Sequence, residues 1–445
     1  MPDIGTSESV AVVGLGYVGS SLSTLLADEG YEVIGIDVDP ELVESVNNGI
    51  CPIEEDGITK RFERHIVSER IAATTSYDAI ENAETIIVTV GTPLAEANPD
   101  ISAVKAATKS IGKNLSEGQL VIYRSTLPAT VTESKLVPIL ESASNLEAGI
   151  EFDVAFCPER MAEGTAYEDL SSTPVVVGGL TEQSQSATES FWETSGLDTI
   201  GVSSPTAAEF TKLADNWWID LNIALANEIA LLAEELKVDA MEVISAANTL
   251  PKGQHNVNIL YPGAGVGGSC LLKDPWFVAN LGEKHGLDLE TPRVSRRVNE
   301  QMPDHMLELI SEGLDTLEDA KVTILGYAFK AGTDDTRNTP AGKIVDGLLE
   351  TGADVHITDP FVPAETVESE VGISPSRLPE ALDNVDAVVI VTGHDQYQSL
   401  SVETLEKYIG STDAVVVDGR FVFDPDEFSE TPLTYIGVGR GVHDE

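Results

Sequence analysis

The 445-residue sequence is poor in basic residues. It holds 26 Lys and Arg against 75 Asp and Glu, which gives a formal net charge of −49. Such a surface repels nucleic acid and anionic membranes, so we expect neither as a partner. The acidic residues are spread along the chain rather than gathered in a tail. We therefore expect a halophilic protein, from a cytoplasm where molar salt shortens the Debye length to about 3 Å.

Cysteine, metal-ligand clusters and long apolar runs are also scarce. The three cysteines, at positions 51, 157 and 270, form no CxxC pair, which argues against a disulfide framework. The seven histidines lack ligand spacing, so we expect no metal site. The polar N-terminus is unlike a signal peptide, and no apolar run reaches the ~20 residues of a membrane span. These features predict a soluble, cytoplasmic protein.

The chain opens with a dinucleotide-binding pattern. A short apolar strand, Ser9–Val13, is followed by Gly14-Leu-Gly16-Tyr17-Val18-Gly19, a helix to about Glu29 and a strand Glu32–Ile36 that ends at Asp37. The glycines let a pyrophosphate approach the helix N-terminus. Asp37 can accept hydrogen bonds from a ribose diol and would repel a 2′-phosphate, which predicts NAD rather than NADP.

Strands and helices continue to alternate, which predicts a mostly parallel, doubly wound α/β sheet. The further predicted strands are Ile71–Thr74, Thr85–Val90, Leu120–Ser125, Asp153–Phe156 and Val175–Val177. Loops after such strands face the ligand. Three of them carry candidate residues: Val90–Pro93, Ser125–Pro128 and Cys157–Arg160. The prolines could instead simply open helices, and Glu159 could be a surface carboxylate.

A long helix follows, from Ser204-Pro205 to about Leu236. Its apolar content requires extensive burial, which suggests a spine between two α/β halves and a dimer interface. Lys212 and Asn216 lie one turn apart on one face of this helix. A lysine in such a place could equally be a solvated residue.

The most informative segment is the run Pro262-Gly-Ala-Gly-Val-Gly-Gly-Ser-Cys270, followed by Lys273-Asp274-Pro275. Its glycines allow close approach of the backbone to a ligand. Cys270 is a candidate nucleophile, because a nearby cation lowers a thiol pKa and the thiolate is the reactive form. A lone cysteine is otherwise more often a small, inert, buried side chain.

A second strand–loop–helix–strand unit begins at Lys321–Leu325 and reaches Asp359-Pro360 without the glycine fingerprint. Its remaining predicted elements are a helix Ala341–Glu350 and strands Asp354–Thr358, Ala387–Val391 and Ala414–Val417. Lys330, Arg337 and Arg420 in its loops could bind a nucleotide diphosphate, or could be surface counter-charges. We predict three domains: an NAD-binding Rossmann domain (1–203), a central helical domain (204–310) and a Rossmann-like domain for a second nucleotide (311–445).

These parts predict an oxidoreductase with a second, nucleotide-like ligand. A thiol beside a nicotinamide favours oxidation through a thiohemiacetal, since hydride loss from that adduct gives a thioester that water hydrolyses. The alternative from another class is a two-electron Rossmann hydroxy-acid dehydrogenase with Lys212 as base and Cys270 structural. A non-catalytic NAD-sensing module is a third possibility.

The motifs resemble those of the UDP-sugar 6-dehydrogenase family, the UDP-glucose and UDP-N-acetylhexosamine dehydrogenases, from about Val10 to Arg420. The fingerprint, Val90-Gly-Thr-Pro93, the cysteine loop and Phe329-Lys330 with Thr333–Arg337 carry this resemblance. It implies that Cys270 forms the thiohemiacetal and thioester. It further implies the other catalytic residues: Lys212 for oxyanions with Asn216 beside it, Asp274 and Thr126 for water or proton transfer, and Glu159 for thioester hydrolysis.

The resemblance also implies which residues bind the ligands. NAD would contact Gly14, Gly16, Tyr17, Val18, Gly19, Asp37, Thr92 and Thr126. The UDP-sugar would contact Glu159, Arg160, Glu163, Lys212, Asn216, Gly267, Lys330, Arg337 and Arg420. Arg296 or Arg297 would reach across a dimer interface in a homodimer or higher homo-oligomer.

Four segments are similar to the UDP-N-acetyl-D-mannosamine (UDP-ManNAc) dehydrogenase branch: Cys157–Arg160, Asp220–Glu228, Val257–Leu260 and Asp274–Phe277. This favours UDP-ManNAc as substrate, then UDP-N-acetylglucosamine (UDP-GlcNAc), then UDP-glucose. Two departures from the family pattern occur. The Ser125–Thr130 loop looks one residue shorter than the usual glycine-containing form, and Phe421 follows Arg420 where asparagine is frequent.

Overall fold

The computed structural model describes residues 8–55, 57–95, 98–250, 258–410 and 413–443. Contacts within the chain divide it into two compact units, Met1–Asp215 with Asn280–His285, and Asn216–Ala279 with Gly286–Glu445. The three domain boundaries predicted above stay predictions. Val257, in one of the branch motifs, lies outside the described residues.

The first unit is built on a sheet whose order is β3-β2-β1-β4-β7-β8-β9-β10. The strands described in this unit are β1 (Ser9–Val13), β2 (Glu32–Ile36), β3 (Ile71–Thr74), β4 (Thr85–Val88), β5 (Leu94–Ala95), β6 (Asn98–Pro99), β7 (Leu120–Tyr123), β8 (Asp153–Phe156), β9 (Val175–Gly179) and β10 (Thr199–Gly201). The first six strands of the sheet are parallel, in the order of a dinucleotide-binding Rossmann fold. Strand β9 runs antiparallel to β8.

Both faces of this sheet are covered, because successive residues of its central strand enter different apolar clusters. Val10 and Val12 pack in one cluster, and Ala11 and Val13 in the other. This is why the strand reads as a continuous apolar run. The helices that cover the sheet or follow it are α1 (Tyr17–Asp28), α2 (Pro40–Asn47), α3 (Thr59–Val67), α4 (Ser102–Asn114), α5 (Val137–Ser144), α6 (Ala166–Ser172), α7 (Glu182–Thr194) and α8 (Pro205–Leu236).

Helix α8 begins where the sequence predicts. Ser204 Oγ accepts a hydrogen bond from the backbone N–H of Ala207 at 3.2 Å, as an N-cap does. Pro205 occupies the first helical position, where its missing N–H has no cost. The predicted α/β fold with a long central helix is confirmed.

The second unit contains a sheet of order β12-β11-β13-β14-β15-β16, parallel except for its last strand. The order 2-1-3-4-5 of its parallel part is another common doubly wound arrangement. Its strands are β11 (Lys321–Leu325), β12 (Asp354–Thr358), β13 (Ala387–Ile390), β14 (Val415–Asp418), β15 (Thr434–Gly437) and β16 (Gly441–His443). The remaining helices are α9 (Ala240–Asn248), α10 (Asp274–Lys284), α11 (Thr291–Gly313), α12 (Pro340–Glu350), α13 (Ala364–Val371), α14 (Asp395–Gln398) and α15 (Val402–Ile409).

The acid at the tip of β12, Asp359, is hydrogen-bonded by neighbouring loops. Asp359 Oδ2 accepts hydrogen bonds from the backbone of Tyr327 at 2.7 Å and Ala328 at 3.0 Å, and it contacts His394 Nε2 at 3.0 Å. Its other oxygen accepts a bond from Phe361 N at 2.8 Å. The carboxylate is therefore engaged in holding its own loops.

Candidate active site

The fingerprint turn after β1 is shaped by two glycines. Gly14 has φ +97°, which side chains rarely adopt, and donates its N–H to Ile36 O at 2.8 Å. A Cβ on Gly19 would lie 1.8 Å from Gly14 O, so only glycine fits there. A Cβ built on Gly16 meets no atom within 4 Å. Open space therefore fronts the first turn of α1, and it fits a pyrophosphate bound by helix N–H groups.

Three other predicted cofactor residues lie close to this turn. Asp37, at the end of β2, accepts a hydrogen bond from Leu15 N at 2.8 Å. Val18 is half-buried in the first turn of α1. Tyr17 begins α1, but its hydroxyl donates to Glu55 Oε2 at 2.5 Å. The phenol is thus engaged within the protein.

The loops after β4 and β7 are joined at the two predicted threonines. Thr92 Oγ1 donates to Thr126 O at 2.7 Å. Further along the same loop, Thr130 has φ +80°, an uncommon value for a β-branched residue. Glycine adopts this conformation most readily. The loop after β7 therefore turns at Thr130.

Buried Glu209 of α8 holds this loop. Its carboxylate accepts hydrogen bonds from Thr130 N at 2.6 Å, from Thr132 N at 2.8 Å and from Thr132 Oγ1 at 2.7 Å. Burial raises the pKa of Glu209 to about 7, against the opposing effect of these hydrogen bonds. Nothing in the sequence flags Glu209 except its position one turn before Lys212 on the same helix.

Glu159 and Lys212 form a buried ion pair. Lys212 Nζ lies 3.5 Å from Glu159 Oε2, and both side chains are less than a tenth exposed. Glu159 Oε1 accepts a hydrogen bond from Met161 N. The neighbouring Arg160 donates to Pro174 O and lies 3.9 Å from Asp215. The first unit thus brings a predicted oxyanion-stabilising cation beside a predicted hydrolytic carboxylate.

Behind this pair lies a buried cluster that sequence reasoning missed. The guanidinium of Arg124 lies 4.9 Å from the ring centroid of Trp192, whose Nε1 donates to Cys157 Sγ at 3.4 Å. Arg124 Nε and Nη1 have no hydrogen-bond partner among the described residues. Burial raises the pKa of Cys157 to about 12, so this thiol is a poor nucleophile.

In the second unit, the glycine loop packs tightly against the segment Phe329–Asn338. A Cβ on Gly267 would lie 2.4 Å from Phe329 Cβ, which excludes any other residue at that position. Gly268 N donates to Arg337 O at 2.9 Å, and Asn338 Nδ2 donates to Gly268 O at 3.1 Å. The loop after β11 therefore fixes the segment that leads to Cys270.

Cys270 is partly exposed in the turn before α10 and lies 3.7 Å from Ser269 Oγ. Its carbonyl accepts hydrogen bonds from the N–H groups of Lys273 and Asp274. Asp274 is fully buried, and its Oδ2 accepts a hydrogen bond from Asn216 Nδ2. Asp274 Oδ1 accepts no hydrogen bond from a described residue and lies 3.5 Å from Lys273 Nζ.

The predicted UDP-binding residues flank the glycine loop. Arg420 Nε donates to Val391 O at 2.7 Å, and a Cβ on Gly263 would lie 2.9 Å from Arg420 Nη1. Half-exposed Arg337 pairs with Asp335, Nε to Oδ1 at 2.9 Å. Lys330 is half-buried at the start of the same segment. Arg420 and Arg337 thus lie at the two ends of the loop.

Two further residues named from the sequence have clear environments. Phe421 has φ +57°, a conformation that asparagine tolerates better, and its ring centroid lies 5.0 Å from the guanidinium of Arg440. Arg296 is buried within its own chain and pairs with Asp220 at 2.7 Å. The prediction that Arg296 reaches a second subunit is wrong, because burial commits its charge to Asp220. Exposed Arg297 keeps that prediction.

Comparison with protein families identifies the whole architecture. Residues 8–195 match the NAD binding domain of the UDP-glucose/GDP-mannose dehydrogenase family, residues 206–301 its central domain and residues 323–425 its UDP binding domain. The chain belongs to this family. It is an NAD-dependent UDP-sugar dehydrogenase.

Individual relatives agree with this assignment. The chain is 34% identical over 439 residues to UDP-N-acetyl-D-mannosamine dehydrogenase of Pyrococcus horikoshii, covering 97% of this chain and 99% of the relative. The solved structure of that organism's UDP-D-ManNAc dehydrogenase matches with TM-score 0.85 and 32% identity, covering 97% and 99% of the two chains. A UDP-glucose dehydrogenase from Pyrobaculum islandicum matches with TM-score 0.87 and 31% identity, covering 99% of each chain.

The described residues offer neither a metal-binding cluster nor a membrane-spanning helix. Within the described ranges, no cluster of His, Cys, Asp or Glu side chains is suited to a metal ion. None of the helices described is both long enough and apolar enough to cross a membrane.

The two groups of predicted catalytic residues each lie inside one unit: Glu159 with Lys212, and Cys270 with Asp274 and Asn216.

Proposed function

We propose that the enzyme oxidises the C6 hydroxyl of UDP-ManNAc to a carboxylate, with NAD accepting two electrons as hydride in each of two steps. The overall change consumes two NAD and one water and releases two NADH and three protons. The observation that carries the proposal is the Cys270 environment. A partly exposed thiol follows a tightly held glycine loop, and the buried carboxylate of Asp274 lies near its backbone, held by Asn216 and Lys273.

Residues of the chain supply the nucleophile and stabilise the oxyanion, and water completes the reaction. After the first hydride leaves, Cys270 Sγ adds to the aldehyde carbon, and Lys212 stabilises the oxyanion. Loss of the second hydride from this thiohemiacetal gives a thioester on Cys270. Water then attacks the thioester carbon, the C–S bond breaks, and the thiol is regenerated.

The remaining predicted residues serve the hydrolysis and the binding of the substrate. Asp274, fixed by Asn216, and Thr126 orient the water, while Glu159 takes its proton. Lys330, Arg337 and Arg420 bind the diphosphate, for which cationic side chains are suited. The ion pair of Lys212 with Glu159 supports this division of roles, because it holds a cation beside the hydrolytic carboxylate.

The choice of sugar rests on the branch motifs and on what relatives act on. The Pyrococcus horikoshii relative is a UDP-N-acetyl-D-mannosamine dehydrogenase, as are several methanococcal ones at 30–32% identity. A relative from Ralstonia solanacearum, 31% identical over 420 residues, is an NDP-N-acetyl-D-galactosaminuronic acid dehydrogenase. These names favour an N-acetylated sugar over glucose.

We further propose that the enzyme acts as a homodimer in the cytoplasm of a high-salt cell. An apolar stripe on α8 supports the dimer, and the net charge of −49 supports the environment.

The test is the NADH yield from limiting UDP-ManNAc, UDP-GlcNAc and UDP-glucose, assayed separately in molar KCl. Two NADH per molecule of UDP-ManNAc, with less turnover of the others, is expected. One NADH per sugar would reject the thioester route, and preferred turnover of another sugar would reject the substrate.

A cysteine pair sharpens this test. Cys270→Ser should abolish the second oxidation, because a serine hydroxyl is a weaker nucleophile than a thiolate and the adduct that loses the second hydride does not form. Cys51→Ser is the matched control: Cys51 is buried, and burial raises its pKa to about 11, so its loss should leave the yield at two. Equal activity of both variants would remove Cys270 from the mechanism.

A further inference from the structure

Glu55 is a buried carboxylate in the loop before α3, and its side chain accepts hydrogen bonds from two distant parts of the first unit. Tyr17 Oη, at the start of the fingerprint helix, donates to Oε2 at 2.5 Å. Gly164 N donates to the same oxygen at 3.1 Å, and Ala166 N donates to Oε1 at 3.2 Å. One carboxylate therefore joins the cofactor fingerprint to the segment before α6.

The backbone of Glu55 is itself held in place. Glu55 N donates to Thr59 Oγ1 at 2.8 Å, and the same hydroxyl contacts Glu55 O at 3.0 Å. The side chain thus starts from a fixed point, and little conformational freedom is lost when it binds its three donors. A buried carboxylate without a cation needs such donors, since an ionised group is costly to bury unless it is hydrogen-bonded.

The segment fixed by Glu55 contains two residues predicted to serve the sugar. Glu159 begins it and Glu163 directly precedes Gly164. The charge of Glu163 lies near the Tyr17 hydroxyl, and burial together with the bond to Glu55 and this charge raises the pKa of Tyr17. Tyr17 therefore remains a neutral donor to Glu55 at working pH.

The other end of the fingerprint helix contacts the same region. Tyr167 Oη, in the first turn of α6, donates to Asp28 Oδ2 at 2.8 Å, and Asp28 is the last residue of α1. Arg61 Nη1 pairs with the same oxygen at 2.9 Å. The α6 region is thus attached to both ends of α1. The contact at the start of α1 runs through Glu55 and Tyr17, and the contact at the end of α1 runs through Asp28.

We propose that Glu55 is a positioning residue for the oxidation: it holds the Glu159–Gly164 segment against the fingerprint helix, so that the carboxylates of Glu159 and Glu163 meet the UDP-sugar in a fixed geometry. The proposal rests on the function proposed above. Glu55 touches neither ligand in this arrangement, and it acts through Tyr17, Gly164 and Ala166. Small displacements of catalytic groups cost large factors in rate, so loosening this segment should be visible in the kinetics.

The test compares Glu55→Gln with Glu54→Gln, the exposed neighbour, in molar KCl below the unfolding temperature. The amide keeps the shape of the side chain but turns an N–H₂ group towards at least one N–H donor. We expect kcat/KM for the sugar to fall about tenfold in Glu55→Gln, while KM for NAD stays within about twofold. Glu54→Gln should match the wild type in both values.

Hydrogen exchange of the amides in residues 160–166 tests the contact independently of turnover. Exchange should be faster in Glu55→Gln than in wild type and unchanged in Glu54→Gln. Unchanged exchange in Glu55→Gln would overturn the proposal. Faster exchange with unchanged kcat/KM for the sugar would also overturn it, because the contact would then be structural only.

A further variant removes one of the three hydrogen-bond donors to Glu55. Tyr17→Phe keeps the ring and removes the hydroxyl, so its effect on kcat/KM for the sugar should be smaller than that of Glu55→Gln. The double variant should lose no more than Glu55→Gln alone, since both changes act through the same hydrogen bond. Additive effects would overturn the joint role. Failure of the wild type to turn over any of the three sugars would instead reject the proposed function itself.

Discussion

Glu209 is a carboxylate without exposed surface, and its charge state should make the stability of the first unit depend on pH. Burial raises its pKa to about 7 from an ordinary value of 4.5. The folded state therefore binds a proton that the unfolded state releases between these values. Its contribution to stability is fully present below about pH 4.5 and is lost as pH rises to about 7.

We therefore expect the free energy of unfolding of wild type relative to Glu209→Gln to fall between pH 5 and pH 8. The expected loss is about 3 kcal/mol, since one pKa unit corresponds to about 1.4 kcal/mol. Urea unfolding in molar KCl at several pH values measures it. Glu235→Gln, at an exposed position of the same helix, is the control and should follow wild type at every pH. Parallel profiles for wild type and Glu209→Gln would contradict the expectation.

Individual residues differ in how far sequence alone reveals them. Cys270 is evident because its glycines, Lys273 and Asp274 are its immediate neighbours in sequence. Glu55 is not, because its partners lie 38 and 109 residues away, at Tyr17 and Gly164. Glu209 likewise acts on a loop 77 residues earlier in the chain, at Thr132. Such positioning roles arise from tertiary contacts, and no local pattern carries them.

Helix α8 is the element whose surface calls for a partner. Trp218, Leu225 and Leu232 follow one another at intervals of seven residues, and their exposures are 45%, 46% and 59%. This spacing places them on one face of the helix. Exposed apolar stripes of this kind mark protein interfaces, and the proposed homodimer would bury this one.

We expect Leu225→Glu combined with Leu232→Glu to convert a wild-type dimer to a monomer, because each charge would be buried without a partner in the interface. Light scattering on a sizing column in molar KCl measures the mass. Leu349→Glu, at a 42% exposed position of helix α12, is the matched control and should leave the dimer intact. A wild-type protein that is already monomeric would refute the interface.

The sequence predicts the bounds of strands better than it predicts whether neighbouring strands run parallel or antiparallel. β1, β2, β3, β8, β11 and β12 have the predicted bounds, since each is a short apolar run between turn residues. The antiparallel pairing of β9 with β8 and the short strands β10, β15 and β16 were not predicted. The direction of a strand depends on the path of the connection that leads into it, which a local pattern does not show. Short edge strands are missed because their apolar patterns are weak.

The whole molecule carries one property that no single element explains, its net charge of −49. Repulsion among these charges opposes the compact state, and salt reduces it: the Debye length falls from about 30 Å at about 0.01 M salt to about 3 Å at about 1 M. A screening gain of about 4 kcal/mol would raise Tm by about 4 °C over that range, because the unfolding entropy of a 445-residue chain is about 0.9 kcal/mol/K. Thermal melts in KCl and in NaCl should show the same rise, because screening depends on ionic strength and not on the cation. Sucrose, which is uncharged, should raise Tm much less. Equal stability at low and high salt would contradict a high-salt origin, and an equal rise in sucrose would assign the effect to solute exclusion rather than to charge.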